Sequence, residues 1–160
     1  MREAIALLCL CLSGCTHAGI LELTVELPPP EGDVRYAVID ARPASRATFA
    51  DAGDVATFPL GEPAALSIVA GADTLSEPLE VRIRFCTSEG CESDLSPSEV
   101  RVRIERAFYS GVHTFLTLRI ASVPTAAERL PPIDACQVRG CTPSTGASYC
   151  LSDGTHLCEH

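Results

Sequence analysis

The residue type in this chain with the clearest potential for chemistry is cysteine, and the most informative of the nine cysteines is Cys15. It follows Ser13-Gly14, and a nine-residue apolar run from Ala4 to Leu12 precedes these two small residues. A deprotonated thiol is a strong nucleophile, and small neighbours allow an enzyme and a second substrate to approach the backbone. Cys15 therefore has the residue type and the neighbours that enzymatic modification of a sulfur requires.

Residues 1–15 resemble the signal peptide and lipobox of bacterial lipoproteins, with Leu12-Ser13-Gly14-Cys15 as the lipobox. The amino-terminal start carries less positive charge than is usual in the family, because the charges of Arg2 and Glu3 cancel. The resemblance implies that residues 1–14 are a signal peptide that is removed. It also implies that Cys15 then carries a diacylglyceryl group and an acylated amino terminus.

The residues that follow Cys15 indicate where the protein is located. Thr16 occupies the position at which many inner-membrane members of this family have Asp, so the resemblance implies the outer membrane, on its periplasmic or surface face. Residues 15–19 are predicted to be a short tether. The first strand-like residue, Ile20, lies five residues after Cys15, and extended chain covers at most ~3.6 Å per residue, or about 18 Å in total.

Two other interpretations of the amino-terminal run are weaker. A transmembrane anchor needs ~20 apolar residues, and this run has nine. A buried core helix would continue the apolar pattern, whereas polar residues follow at Ser13, Thr16 and His17.

Composition limits the possible partners. The formal net charge is −9, and all twelve basic residues are arginine. This charge argues against a nucleic-acid partner, because the phosphates would be repelled, and it gives no attraction to anionic lipid head groups. We therefore expect the acyl chains to provide the membrane attachment. The partner could be an envelope protein or a glycan. We expect no cofactor.

Six cysteines remain after loss of the signal peptide and acylation of Cys15: Cys86, Cys91, Cys136, Cys141, Cys150 and Cys158. An even number in an exported chain predicts three disulfides. Cys86 and Cys91 are the easiest pair to assign, because four intervening residues that include Gly90 can fold back at a strand end. A redox-active dithiol is less favoured, since the familiar catalytic spacing is two residues.

The last four cysteines lie in a Cys-rich tail, residues 133–160, which has too few apolar residues for a core of its own. Asp153-Gly154 predicts a turn between two short extended pieces, and hence a small hairpin. A three-residue loop would place Cys150 opposite Cys158 and leave Cys136 to pair with Cys141. Crossed pairings stay open.

The tail also carries His156 and His160. Thiolates and imidazoles bind zinc tetrahedrally, so a periplasmic protein that handles zinc or copper is the alternative function. An exported chain meets oxidant before metal, which favours disulfides, and no metal site is assigned.

Alternation of apolar and polar residues predicts an all-β fold of about seven strands. The predicted strands span residues 20–27, 34–41, 55–60, 65–70, 79–85, 100–104 and 115–121. Short strands separated by turn residues indicate a single antiparallel β-sandwich over residues 20–124. One helical turn is predicted at Thr125–Arg129, within a linker, residues 125–132, that leads to the disulfide-rich hairpin tail.

The segment from Phe85 to Val102 resembles the late strand–loop–strand region of fibronectin type III domains, with a disulfide in the loop. Two features depart from that family: the chain has no tryptophan, and another strand follows where such a domain would end. The resemblance implies only an immunoglobulin-like sandwich.

Other polar clusters favour ordinary surface roles. Four outward arginines could form an anion-binding patch if their strands are neighbours: Arg82, Arg84, Arg101 and Arg103. Glutamates on the same strands favour cross-strand ion pairing instead. His113 is expected in a turn, and Asp51 and Asp54 in a solvated loop and not as a calcium site.

No nucleophile elbow, zinc-protease motif or phosphate-binding glycine loop occurs in the chain. The sequence therefore predicts a non-catalytic, lipid-anchored protein of the cell envelope. Its role would be structural or binding, with Cys15 as the anchor and the six later cysteines as the source of stability.

Overall fold

Alternating apolar residues form the long strands of this protein, as the sequence pattern predicts. The computed structural model describes residues 18–45, 54–71, 73–92, 97–111, 113–134, 140–141 and 147–151. Strand β1, Gly19–Glu26, buries Leu21, Leu23 and Val25, while the residues between them are partly exposed. One face of β1 therefore contributes to the core and the other faces solvent.

Six further long strands confirm the other predicted segments, with shifts of one to two residues at most ends. They are β2 (Tyr36–Pro43), β3 (Asp54–Pro59), β4 (Pro63–Ala70), β5 (Leu79–Cys86), β6 (Ser98–Glu105) and β7 (His113–Ile120). Four short strands follow: β8 (Glu128–Arg129), β9 (Ile133–Asp134), β10 (Gly140–Cys141) and β11 (Ala147–Leu151). The protein is all-β, and within the described ranges its helical content is one 3₁₀ turn, Glu89–Cys91.

The strands form two sheets with the core between them. The first sheet has the order β10-β11-β7-β1-β4, and the second has the order β3-β2-β5-β6-β8, with β9 also paired to β6. The largest fully buried side chains come from both sheets and include Phe85, Leu21, Ile39, Ile104 and Leu118. This arrangement is a β-sandwich.

The predicted antiparallel topology is wrong in one respect, because the sheets are mixed. β1 pairs in parallel with β7, and β6 pairs in parallel with both β8 and β9. Strands joined by a tight turn must run antiparallel, but these partners are not joined by one. The connections between these strands therefore allow them to pair in parallel.

The predicted helical turn at Thr125–Arg129 is also wrong. Residues Glu128 and Arg129 form β8, and the amide of Leu130 donates a hydrogen bond to the carbonyl of Arg101 at 2.8 Å. A residue before proline is disfavoured in the α region, and Pro131 follows Leu130. Leu130 and Ile133 are buried in the main core, so the segment predicted as a linker packs against the sandwich.

The glycine that opens β1 lies in a crowded position. A Cβ built on Gly19 would come within 2.8 Å of Leu75 and 2.9 Å of Phe108 and of the carbonyl oxygen of Tyr109. Real Cβ contacts are not this short, so only glycine allows the chain to enter the sheet here.

In the described segments, no helix is long and apolar enough to span a membrane.

Candidate functional site

Cys86 and Cys91 are joined by a disulfide, in agreement with the predicted pair. Cys86 is the last residue of β5, and the 3₁₀ turn brings Cys91 back to a Cα–Cα distance of 5.1 Å. Both cysteines are buried and form a small cluster with Val38 on the outer side of the second sheet. A bond shielded in this way is suited to a structural role, because redox exchange needs an accessible sulfur.

Replacing both cysteines, Cys86→Ala/Cys91→Ala, is expected to lower the free energy of unfolding by about 2 kcal/mol. The short loop places this bridge at the lower end of the ~2–5 kcal/mol range for bridges in small exported domains. Urea unfolding of the variant and of the wild type, each with and without reductant, measures the difference. If reductant lowers the stability of the double variant by the same amount as that of the wild type, the stabilisation does not come from this bond.

The second sheet carries a charged outer face on its central strands β2, β5 and β6. The four arginines singled out in the sequence lie on neighbouring strands, since β5 and β6 are paired in register. Each is ion-paired to a carboxylate: Arg82 with Asp40 at 2.8 Å, Arg84 with Asp40 at 3.3 Å, Arg101 with Glu99 at 2.6 Å and Arg103 with Glu105 at 2.5 Å. The four arginines are therefore ion-paired, as predicted, but the cross-strand pairs of Arg82 and Arg84 are with an aspartate. The closest partners of Arg101 and Arg103 lie two residues away on β6 itself.

Asp40 is the centre of this charged face, and the sequence analysis did not single it out. It lies in β2 with only 2% of its surface exposed, and it accepts a hydrogen bond from Nε of Arg82 at 3.0 Å. A buried carboxylate is costly unless it is paired, and Arg82 and Arg84 supply the pairing. The available signal was a single acid in the apolar run Val38-Ile39-Asp40-Ala41.

The arginine of β2 extends the charged face at one end. Arg42 Nη2 lies 2.5 Å from Glu80 Oε2, and both side chains are largely buried. Their strands are in register, with Arg42 opposite Glu80. The second sheet thus combines cross-strand ion pairs between β2 and β5 with pairs along β6.

The outer face of the first sheet carries more exposed charges. Glu26 and Arg119 form an ion pair between β1 and β7, and the hydrogen bond from Arg119 lowers the pKa of Glu26 below its ordinary value of 4.5. His113, expected in a turn, is the first residue of β7, and its Nδ1 lies 3.8 Å from Glu22 Oε1. His113 is exposed, and its described partner is a surface carboxylate.

A cavity of about 320 Å³ lies at the end of the sandwich where β1 begins. Gly19, the first residue of β1, is opposite Ala70 in β4, and Ala70 lines the cavity. The other lining residues come from the end of β2, the end of β4, the turn after it, the start of β5 and the loop after β6. They include Arg42, Ile68, Asp73, Thr74, Leu79 and Phe108.

The ends of the sandwich therefore differ in chemistry. The cavity lies at the end nearest to Cys15 in the sequence, while the Cys86–Cys91 bridge lies at the opposite end, where β2 begins and β5 ends. The cavity end combines apolar walls with one arginine and one aspartate. The cavity could not be predicted from the sequence, because its lining comes from four separate chain segments.

The remaining predicted site residues are only partly within the structure. Cys15, Cys136, Cys158, His156 and His160 lie outside the described residues, as does Asp51. Asp54 begins β3. Within the described parts of the chain, no group of three or more His, Cys, Asp or Glu residues could hold a metal ion.

Two tail cysteines do fall within the described residues. β10 and β11 pair antiparallel with Cys141 directly opposite Cys150, and β11 pairs in turn with β7. The hairpin predicted around Asp153-Gly154 lies outside the described residues.

Comparison with known proteins adds no family, because no protein-family model, curated protein or solved structure matches the chain.

Proposed function

We propose that this chain is a non-catalytic lipoprotein of the bacterial cell envelope that presents a β-sandwich as a structural or binding module. The observation that carries the proposal is the position of β1, which begins at Gly19, four residues after Cys15. Removal of residues 1–14 would take away no described strand. The predicted cleavage before Cys15 would therefore leave every described strand intact.

The short tether would keep the domain close to the membrane. Four residues of extended chain cover at most ~14 Å, so the cavity end of the sandwich would face the lipid. The strands of eight residues rise roughly 26 Å from that end. The end with the Cys86–Cys91 bridge would then be presented to a partner, such as another envelope protein or a glycan.

Attachment would come from the acyl chains and not from the protein surface. The net charge of −9 opposes contact with anionic head groups. Each buried methylene contributes ~0.8 kcal/mol, and two acyl chains already anchor a protein stably. The buried disulfide supports the same compartment, because structural disulfides persist in the oxidising envelope.

Replacement of the lipidated residue, Cys15→Ala, tests the proposal, with Thr16→Ala as a matched control one residue away. The wild type and the control are expected to incorporate labelled palmitate. Their intact mass should correspond to residues 15–160 plus fatty acyl groups. Cys15→Ala is expected to lose all of the label, because no other atom of the motif can form the thioether.

Membrane fractionation provides the second measurement. The wild type and Thr16→Ala should stay with the membrane in high salt and be released by detergent. A wild-type protein that carries residues 1–14 and no acyl group in its intact mass would contradict the proposal.

A further inference from the structure

The register of the tail carries an inference about its disulfides. β10 and β11 form an antiparallel ladder with Gly140 opposite Leu151 and Cys141 opposite Cys150. β11 continues the first sheet through β7, with Cys150 opposite Thr117. The two cysteines are therefore direct cross-strand neighbours at the edge of the sandwich.

Direct cross-strand neighbours satisfy the distance requirement of a disulfide. Opposite residues of an antiparallel pair have Cα atoms about 4.5–5.5 Å apart, and disulfides span Cα distances of about 4.4–6.8 Å. The bonded pair Cys86 and Cys91 has a Cα–Cα distance of 5.1 Å, within the same range. We propose that Cys141 and Cys150 form a disulfide, and that Cys136 and Cys158 form the third bridge of the chain.

The third bridge follows by elimination, because Cys136 and Cys158 are the two cysteines left of the six that are expected to form three disulfides. Cys136 precedes Cys141 by five residues, and Cys158 follows Cys150 by eight. The two bridges are then nested, with the inner loop 141–150 inside the outer loop 136–158, and neither bridge requires the chain to thread through the other.

Pairing between sequence neighbours fits the register less well. A Cys136–Cys141 bridge and a Cys150–Cys158 bridge would each take away one member of the pair that the ladder places face to face. The ladder brings Cys141 and Cys150 together without further movement of the backbone. Bonding across it would fix β10 and β11 beside β7.

The proposed bonds need an oxidant, and in this respect they rest on the proposed export. Each bridge forms when two thiols release two protons and two electrons and one sulfur–sulfur bond is made. The electrons pass by thiol–disulfide exchange to a disulfide-bearing oxidant, which is reduced to a dithiol. The oxidising envelope supplies such oxidants.

Peptide mapping without reduction tests the pairing. The full chain, extracted from membranes with its free thiols blocked at acidic pH, is cut after Arg139, after Tyr149 and before Asp153. These three cuts place the four tail cysteines in four separate fragments. The expected result is that fragment 140–149 is linked to fragment 150–152, and that the fragment with Cys136 is linked to fragment 153–160. Reduction should separate all four.

Any other linkage overturns the proposal, as does a tail with blocked free thiols. The intact mass of the same sample separates this failure from failure of the proposed function. An acylated chain that starts at Cys15 but has different links contradicts only the pairing. An unprocessed chain with reduced thiols contradicts both.

Discussion

Phe85→Ala is expected to lower the free energy of unfolding by about 3–5 kcal/mol, the cost of truncating a buried aromatic side chain. Phe85 is 2% exposed and is the largest of the fully buried side chains. It lies in β5, a central strand of the second sheet, next to the cysteine of the buried bridge. Its removal leaves a cavity between two sheets that cannot close without moving both.

Urea unfolding measured by circular dichroism gives this difference, and Phe115→Ala is the matched control. Phe115 lies in β7 with 43% of its surface exposed, so its truncation should cost clearly less stability than that of Phe85. Equal losses for the two variants would show that Phe85 does not lie in the core.

Asp40→Ala is expected to lower the free energy of unfolding by about 3 kcal/mol, near the lower limit for breaking a buried ion pair. The variant leaves Arg82 and Arg84 without the carboxylate they share. Their side chains are 19% and 24% exposed, so water recovers part of the loss. Asp40→Asn keeps the shape and one acceptor oxygen, and we expect it to lose less stability.

The control for this prediction is Glu26→Ala, which removes the carboxylate of an exposed ion pair. Glu26 and Arg119 are 42% and 61% exposed, and water can replace each partner. The unfolding midpoint of this variant should stay within experimental error of the wild type. A loss from Glu26→Ala as large as that from Asp40→Ala would mean that burial is not the source of the Asp40 effect.

The seven long strands could be predicted from the sequence because alternation reports which face of a strand is buried. Leu21, Leu23 and Val25 in β1, and Val81 and Ile83 in β5, lie inward as the pattern indicates. β2 does not alternate, because its outward residue Val38 is covered by the bridge and Asp40 by two arginines. The pattern therefore identified the strand but not its buried carboxylate.

The pairing of strands distant in the chain could not be predicted, since alternation carries no information about neighbours. β1 and β7 lie side by side in one sheet although most of the domain separates them in the chain. The short strand β8 could not be predicted, because it consists of two charged, exposed residues, Glu128 and Arg129, and so has no alternation of apolar and polar residues. The cavity is lined by residues from β2, β4, β5 and two loops, so it too depends on the arrangement of strands that are distant in the chain.

The position of β1 between β7 and β4 determines when the domain can fold during synthesis. β1 is made first among the described strands, yet the sheet pairs its Ile20 with His113, 93 residues later in the chain. Until β7 has been synthesised, one edge of β1 has no strand to pair with, and the apolar face of β1 is not fully buried. Folding that waits for such distant contacts is slow, and a nascent chain in this condition is prone to aggregate. The protein should therefore need a chaperone to hold it until nearly all of it has been made.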